Sequence, residues 1–466
     1  MKILLVNAPA RNIIQETIVV PPLGLAYLAA VAHQAGHEVS ILDAFAEALS
    51  WEAFAERLAG SHYDVIGLSG MTPVFDCVKR AMKICRPHAR HIVLGGPHVT
   101  AFRTTVLQNN PEADYAVFGE AERSFVDLLE AIQTGRKVSG IPGVVSSDTV
   151  AAVRPFISDL DEIPFPARDL LPNNLYRYPL SGNRRMTTII SSRGCPYQCA
   201  FCDKGTFGSK WRAHSAEKVL VEIDEVFHKY SVGYVVFYDD LFILNKKRLH
   251  RICEGLIRRQ YPLAWKAEGR VDLVDAETLS LMRRAGCDTI AYGVETANTA
   301  GLQYLGKKAT PQDARRAFRM THNAGIKTMG YFILGIPVET YKDALGTIEF
   351  AIELKTDYAQ FSILSPFPGT RLYDQAKTKG WYREISAQNV SDKDLRRPAI
   401  ISENWTEKQL VDIVHQAHRR FYLRFGYVLK RLSGITSFRD LSALARLAMG
   451  MIKYVFRLTR STKESA

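Results

Sequence analysis

The sequence is sparing with cysteine, holding seven among 466 residues. An odd number scattered over so long a chain does not make the disulfide framework of a secreted protein. Long apolar runs are missing as well. The opening "MKILLVNAPA" has four apolar residues in a row before Asn7, too few for a signal-peptide core. No stretch reaches the roughly 18 uncharged apolar residues that a spanning helix needs. A reducing cytoplasm is the expected setting. No G-x-G-x-x-G follows the first strand-like run, which argues against a nicotinamide or flavin dinucleotide. With 47% apolar and 23% charged residues the composition is that of a folded protein. The length suggests roughly two to four domains.

Acidic residues are scarce at one end. Lys and Arg outnumber Asp and Glu by 60 to 48, a net +12. From Arg419 to Ala466 there are eleven basic and two acidic residues, so this tail carries +9. The excess charge is a property of the tail, and the rest is nearly balanced.

Residues 1–140 alternate strand and helix signals. The runs "KILLVNAP", "EVSILDA", "YDVIGLSG", "HIVLGGP" and "ADYAVFGEAE" read as strands, with helical patterns such as "GLAYLAAVAHQAG" and "SWEAFAERLAG" between them. Ser50 is a plausible cap for the second helix. Continuous apolar strands separated by helices predict a doubly wound parallel sheet, whose ligands sit outside the strands' carboxyl ends. Those ends carry Asn7-Ala8-Pro9, Ser69-Gly70, Gly95-Gly96-Pro97-His98 and Gly119-Glu120. Residues 141–184, rich in Pro and Asp, read as an extended linker. Over 185–385 six more strand–helix repeats predict a partial (β/α)6 barrel of parallel strands, with catalytic groups at the strand C-terminal ends. Residues 386–466 read as a helical, basic C-terminal region.

Three of the cysteines stand together. "SSRGCPYQCAFCDK" spaces Cys195, Cys199 and Cys202 as C-x3-C-x2-C directly after the first barrel strand. Thiolates bind zinc or iron–sulfur clusters, and a structural zinc would normally show a fourth Cys or His. His214, the nearest candidate, gives no familiar finger spacing. Three ligands on a cluster that takes four leave one iron open, which suits a cluster that binds substrate. The alternative, buried unliganded thiols, fits Cys77, Cys85, Cys253 and Cys287 better, since these sit in helical or buried contexts.

C-x3-C-x2-C with an aromatic, Phe201, before the last Cys resembles the radical S-adenosylmethionine (SAM) superfamily. Together with the N-terminal domain, "PPLGLAYLAA" and "DLDEIPFPARDLL", residues 1–385 resemble its subclass with a cobalamin-binding domain. The resemblance implies that Cys195, Cys199 and Cys202 hold a [4Fe–4S] cluster whose open iron chelates SAM. An electron from a low-potential donor would then cleave SAM to methionine and a 5′-deoxyadenosyl radical. It also implies SAM contacts from Asp239 and Asp240 for the methionine amine, Arg270 for the carboxylate, and Glu295 for a ribose or methionine polar group. Gly330 and Gly335 would allow close approach to adenine. Each has a bland reading: Asp239 could cap a helix, and Arg270 with Asp272 could be a structural ion pair.

The D-x-H-x-x-G motif that gives cobalt a histidine in many cobalamin proteins is absent, as Asn7-Ala8-Pro9-Ala10-Arg11 stands in its place. His98 is the remaining strand-end histidine, and a turn histidine is more often a surface residue than a metal ligand. Cobalamin is expected without a protein ligand, its nucleotide tail on Ser69, Gly70, Gly95 and Gly96 with Gly119 and Glu120 nearby.

In the tail, Arg439, Arg446, Lys453 and Arg460 recur every seven residues and form one basic stripe. Two readings stay open: a helix lying on an anionic membrane surface, or a terminal helix docked on the barrel with solvated charges. Nucleic acid is disfavoured, because base-stacking aromatics do not interleave with the charges.

The expectation is a cytoplasmic radical SAM enzyme using cobalamin to methylate an unactivated carbon of a hydrophobic small molecule or lipid. The alternatives are an oxidative cyclase or rearrangement enzyme on the same cofactors, and a non-catalytic cobalamin or redox sensor. An RNA methylthiotransferase would need three more N-terminal cysteines, where the chain has only Cys77 and Cys85.

Overall fold

The computed structural model describes residues 1–433 apart from 11–17, 104, 148, 150 and 384–397. It divides into two compact units. The first takes Met1–Arg177, Arg193–Pro196 and Asp203–Lys218, and the second Tyr178–Ser192, Tyr197–Cys202 and Val219 onward.

In the first unit, strands β1 (Lys2–Asn7), β2 (Glu38–Asp43), β3 (Tyr63–Ser69), β4 (Ala89–Gly95), β5 (Tyr115–Val117) and β6 (Val144–Val145) form one sheet in the order β2-β1-β3-β4-β5-β6. All pairs are parallel except β5 with β6. Side chains alternate across each strand, so Leu4 and Val6 pack with Phe54, Phe75 and Met82 on one face. Ile3 and Leu5 pack with Leu25, Ala29, Phe125 and Leu128 on the other. The sheet is buried on both faces, as a doubly wound fold requires. Ser50 caps the helix Trp51–Leu58 by accepting from the Ala53 N–H.

The expected linker differs. Its first part, through Arg177, belongs to this unit. Ala167 N–H donates to the Ala26 carbonyl, Arg177 forms an isolated bridge with Val19, and the Tyr176 hydroxyl donates to Asp43 at 2.9 Å. Proline-rich backbone lacks a periodic pattern, yet its side chains tie it down.

In the second unit, β7 (Met186–Ile189), β10 (Tyr234–Phe237), β11 (Ala264–Gly269), β12 (Cys287–Glu295), β13 (Lys327–Leu334) and β14 (Tyr358–Ile363) form a parallel sheet in the order β14-β13-β12-β11-β10-β7. The short strands β8 (Ser192–Arg193) and β9 (Arg212–Ala213) flank the cysteine segment in sequence. The sheet runs from β7 to β14 without closing, the partial barrel the repeats predict. Helices Lys246–Arg259, Ala276–Arg284, Pro311–Asn323 and Tyr341–Glu353 start on Asn245, Asp275, Thr310 and Thr340, whose side chains accept orphan N–H groups. Thr310 with Asp313, and Thr340 with Asp343, complete capping boxes.

Two helices, Glu407–Tyr422 and Phe425–Ser433, open the C-terminal region. The basic stripe from Arg439 to Arg460 lies outside the described residues. Among the described residues no helix is long and apolar enough to cross a membrane.

Candidate active site

The first unit's strand order reverses between β2 and β3, so β1 and β3 flank the switch point where such sheets hold ligands. Ser69 and Gly70 leave β3 there, against Gly95 and Gly96 from β4. Gly96 has φ +95°, and a Cβ on it would stand 2.6 Å from Ser69 Oγ and 2.9 Å from the Gly70 carbonyl. Only glycine lets the two turns meet so closely. Gly119, φ +74°, has open space where a Cβ would point and donates its N–H to Thr100 Oγ1 at 3.1 Å. His98 stacks on Phe75 at 3.7 Å and lies 4.7 Å from Phe102. Burial, with Lys79 adding, pushes its imidazole down to about 4. It is a neutral packing histidine. Glu120 differs from expectation: Arg212 and Arg193 hold its Oε1 at 2.8 and 3.2 Å, and its Oε2 accepts from Arg212 and the Ile157 N–H. Both oxygens are held by donors of the first unit.

None of the seven cysteines is in a disulfide. Cys195 and Cys199 are half-buried, and Cys202 is exposed. In the first unit, Cys195 N–H points to the Gly208 carbonyl at 3.4 Å. In the second, the loop from Tyr197 to Cys202 is pinned at Ala200, which donates to the Leu305 carbonyl and accepts from Leu372 N–H. Phe201 packs with Leu305, Ile336 and Trp381. His214 pairs with Asp161 at 3.2 Å, which commits it to the fold of the first unit. Burial pushes the Cys85 and Cys253 thiols up to about 12 and holds Cys287 well above the ordinary thiol value, as packing residues require.

The ends of the later strands hold surprises. Asp239, 2% exposed, accepts from the Ser191 N–H and hydroxyl at 2.7 Å each, and from the Ser192 hydroxyl at 2.5 Å. It holds the backbone just ahead of the cysteines, and both of its oxygens accept from protein donors. Desolvation pushes its carboxyl up to about 6, against the pull of Arg248. Arg248 in turn donates to the Ser191 carbonyl. Asp240, its neighbour, is exposed. Arg270 forks onto Asp272 at 3.0 and 2.9 Å, the ion pair foreseen as its bland reading, and its guanidinium lies 3.6 Å over the Tyr197 ring. Tyr197 sits between Cys195 and Cys199. Glu295, φ +69°, is buried in an ion pair with Lys307.

Two glycines lie against apolar side chains. A Cβ on Gly330 would stand 2.6 Å from the Phe332 ring, because Gly330 lies inside β13 and not at its end. Gly335, φ +81°, faces Leu410 of the helix Glu407–Tyr422, whose neighbours Asn404 and Trp405 donate to the carbonyls of Pro337 and Ile336. Sequence spacing gives no sign of this cover, since it comes from about 70 residues downstream.

The residues 17–129 match the B12 binding domain family and 189–351 the radical SAM superfamily. An uncharacterized methyltransferase of Pyrococcus horikoshii is 33% identical over 92% of this chain and 94% of its own. An anaerobic magnesium-protoporphyrin IX monomethyl ester cyclase of Cereibacter sphaeroides is 29% identical over 87% and 67%. The structure of the radical SAM methyltransferase TsrM from Kitasatospora setae, with cobalamin and a [4Fe–4S] cluster bound, superposes with TM-score 0.71 at 17% identity, covering 90% of this chain and 89% of that one. The chain belongs to the radical SAM enzymes that carry an N-terminal cobalamin-binding domain.

Members of this family work with a [4Fe–4S] cluster, SAM and cobalamin. The residues present fit that set. Three thiols outside any disulfide stand within eight residues of sequence, Cys199 and Cys202 on the loop pinned at Ala200, and offer sulfur donors suited to iron. Among the described residues no three His, Cys, Asp or Glu side chains converge as ligands of one metal ion do. A cubane does not ask for that, because each thiolate takes a different iron. On the cobalamin side, the closely meeting turns at Gly70 and Gly96 lie at the switch point where such sheets take ligands, and Gly119 has open space over its backbone.

Two features of this radical SAM domain escape motif reading. Lys266, fully buried, pairs with Glu268, which also accepts from the Tyr331 hydroxyl at 3.1 Å. Both acid and base lie on one side of β11 through their i, i+2 spacing, within a segment noted only for Arg270. Glu339 follows β13, and burial pushes its carboxyl up to about 7. It accepts from the Thr296 hydroxyl at 2.6 Å.

Proposed function

We propose that this enzyme transfers a methyl group from SAM, by way of cobalamin, to an unactivated carbon of a hydrophobic small molecule or lipid. The observation that carries the reading is the end-to-end match to a relative named as a methyltransferase, over both the B12-binding and radical SAM regions. When bound, the cluster supplies the electron that cleaves SAM, and cobalamin supplies the methyl group.

The chain's own residues would do the following. Cys195, Cys199 and Cys202 hold the cluster. Asp239 and Arg248 fix Ser191 and so the approach to the cysteines. Arg270, clamped by Asp272, holds the Tyr197 ring. Ser69, Gly70, Gly95, Gly96 and Gly119 present backbone to cobalamin, with no histidine below the metal. Asp239 and the exposed Asp240, both after β10, are the acidic candidates for the SAM amine.

A hydrophobic substrate and contact with an anionic membrane surface draw support from the +9 tail and from Leu423, Phe425, Val428 and Leu429, all exposed near its start. Sedimentation with anionic and zwitterionic vesicles checks the contact: binding to anionic vesicles alone is expected, and binding to neither contradicts it.

Anaerobic turnover of cell-derived lipid and small-molecule extracts with methyl-labelled SAM tests the reaction. Label in a product is expected. A product without label would favour the second reading, oxidative cyclisation, which the similarity to the ester cyclase supports.

A further inference from the structure

Four charged side chains are buried together in the first unit: Arg193 and Arg212, Glu120 and Glu122. Burying charge is unfavourable unless every group is paired, and apolar residues of like volume would often serve stability as well. What this cluster holds is therefore informative. Arg193 stands two residues ahead of Cys195. Its Nη1 donates to Glu120 at 3.2 Å and its Nη2 to Glu122 at 2.6 Å, and its plane lies 5.0 Å from the Phe207 ring. Arg212 grips Glu120 from the other side and donates to the carbonyls of Ile157 at 2.6 Å and Phe207 at 2.8 Å.

Between the two arginines the chain is tight. Gly194 has φ +83°, and a Cβ there would stand 3.0 Å from the Phe207 carbonyl and 3.1 Å from that of Gly208. The next N–H, that of Cys195, points at the same Gly208 carbonyl. One arginine thus anchors the residue before the Gly194–Cys195 step, and the other anchors the loop on which that step rests. Both converge on Glu120, at the carboxyl end of β5.

We propose that Glu120 and Glu122, acting through Arg193 and Arg212, are positioning residues for the Cys195 thiolate. The four charges sum to zero, so the network holds the backbone without adding net charge beside the sulfur. This rests on the assignment of Cys195 as a cluster ligand, and the experiment separates the two ideas. Anaerobically reconstituted wild type and Cys195→Ala come first. A cluster in the wild type that is lost in Cys195→Ala upholds the assignment. No cluster in the wild type, or an intact one in Cys195→Ala, removes the assignment and the proposal with it.

Glu122→Gln, which keeps an acceptor but drops the charge, and Arg193→Lys, which keeps the charge but drops the fork, then test the network. Both should retain the wild-type circular dichroism and cobalamin absorbance. Their clusters should bleach about tenfold faster under an iron chelator, and the electron paramagnetic resonance (EPR) spectrum of the reduced cluster should shift. Wild-type bleaching and spectra in both variants overturn the proposal. Equal loss of cobalamin uptake and cluster in both assigns the network to the unit's stability and overturns it as well.

Discussion

Asp239 receives both the backbone N–H and the hydroxyl of Ser191, each at 2.7 Å. An acid at the end of β10 thereby fixes the chain four residues ahead of Cys195. Asp239→Ala would leave a buried N–H and the Arg248 guanidinium short of a partner, at a loss of about 1–3 kcal/mol in unfolding free energy. Denaturant unfolding of the apo-protein and iron content after reconstitution both read the effect. The account predicts that both fall in Asp239→Ala, whereas an unchanged iron content would deny Asp239 its positioning role.

His98 should make the first unit acid-sensitive. Burial lowers its imidazole from 6.5 to about 4 in the folded chain, so the fold favours the neutral ring. Its contribution is fully present above pH 6.5 and is lost as pH falls toward 4. His98→Gln should flatten the stability profile of the cobalamin-binding region between those values. An identical profile for variant and wild type would mean the ring is not held neutral by its packing between Phe75 and Phe102.

Glu339 acts in the opposite sense. Its carboxyl is raised from 4.5 to about 7, so its contribution is complete below pH 4.5 and lost as pH rises through 7. Glu339→Gln, a permanent neutral mimic, should stabilise the chain relative to wild type at pH 8 and differ little at pH 4.5. Thermal unfolding at the two pH values measures this, and a pH-independent difference contradicts it.

The stack of Arg270 on Tyr197 predicts coupling. Arg270→Lys loses both the planar face and the fork onto Asp272, and Tyr197→Ala loses the ring. In a double-mutant cycle on unfolding free energy, the two should be non-additive by about 0.5–2 kcal/mol. Additive effects would show that the contact carries no energy.

How far the residues themselves announce this protein varies by scale. Strand and helix alternation was legible in outline, because apolar runs such as "KILLV" and "GYVVF" are bounded by Gly, Asn or Asp, whereas the two-residue strands β6, β8 and β9 are too short to leave a pattern. The Cys195–Cys199–Cys202 spacing was legible because it is local. The roles of Asp239, Glu120 and Gly335 were not. Each lies near a strand end and meets partners 37 to 92 residues away, such as Ile157 and Arg212 for Glu120 and Ser192 for Asp239. Long-range pairing leaves no periodic trace. The segment 141–184 read as a linker for a similar reason, since Tyr176 within it finds Asp43 at a separation of 133 residues.

The central claim is that the three thiols of residues 195–202 hold a [4Fe–4S] cluster that binds and cleaves SAM. EPR of the reduced, anaerobically reconstituted protein with and without SAM tests it most directly, combined with detection of 5′-deoxyadenosine. The account predicts a [4Fe–4S] signal that changes on adding SAM, with 5′-deoxyadenosine released, and loss of both in Cys199→Ala. Zinc in place of iron, or a signal that survives Cys199→Ala unaltered, would contradict it.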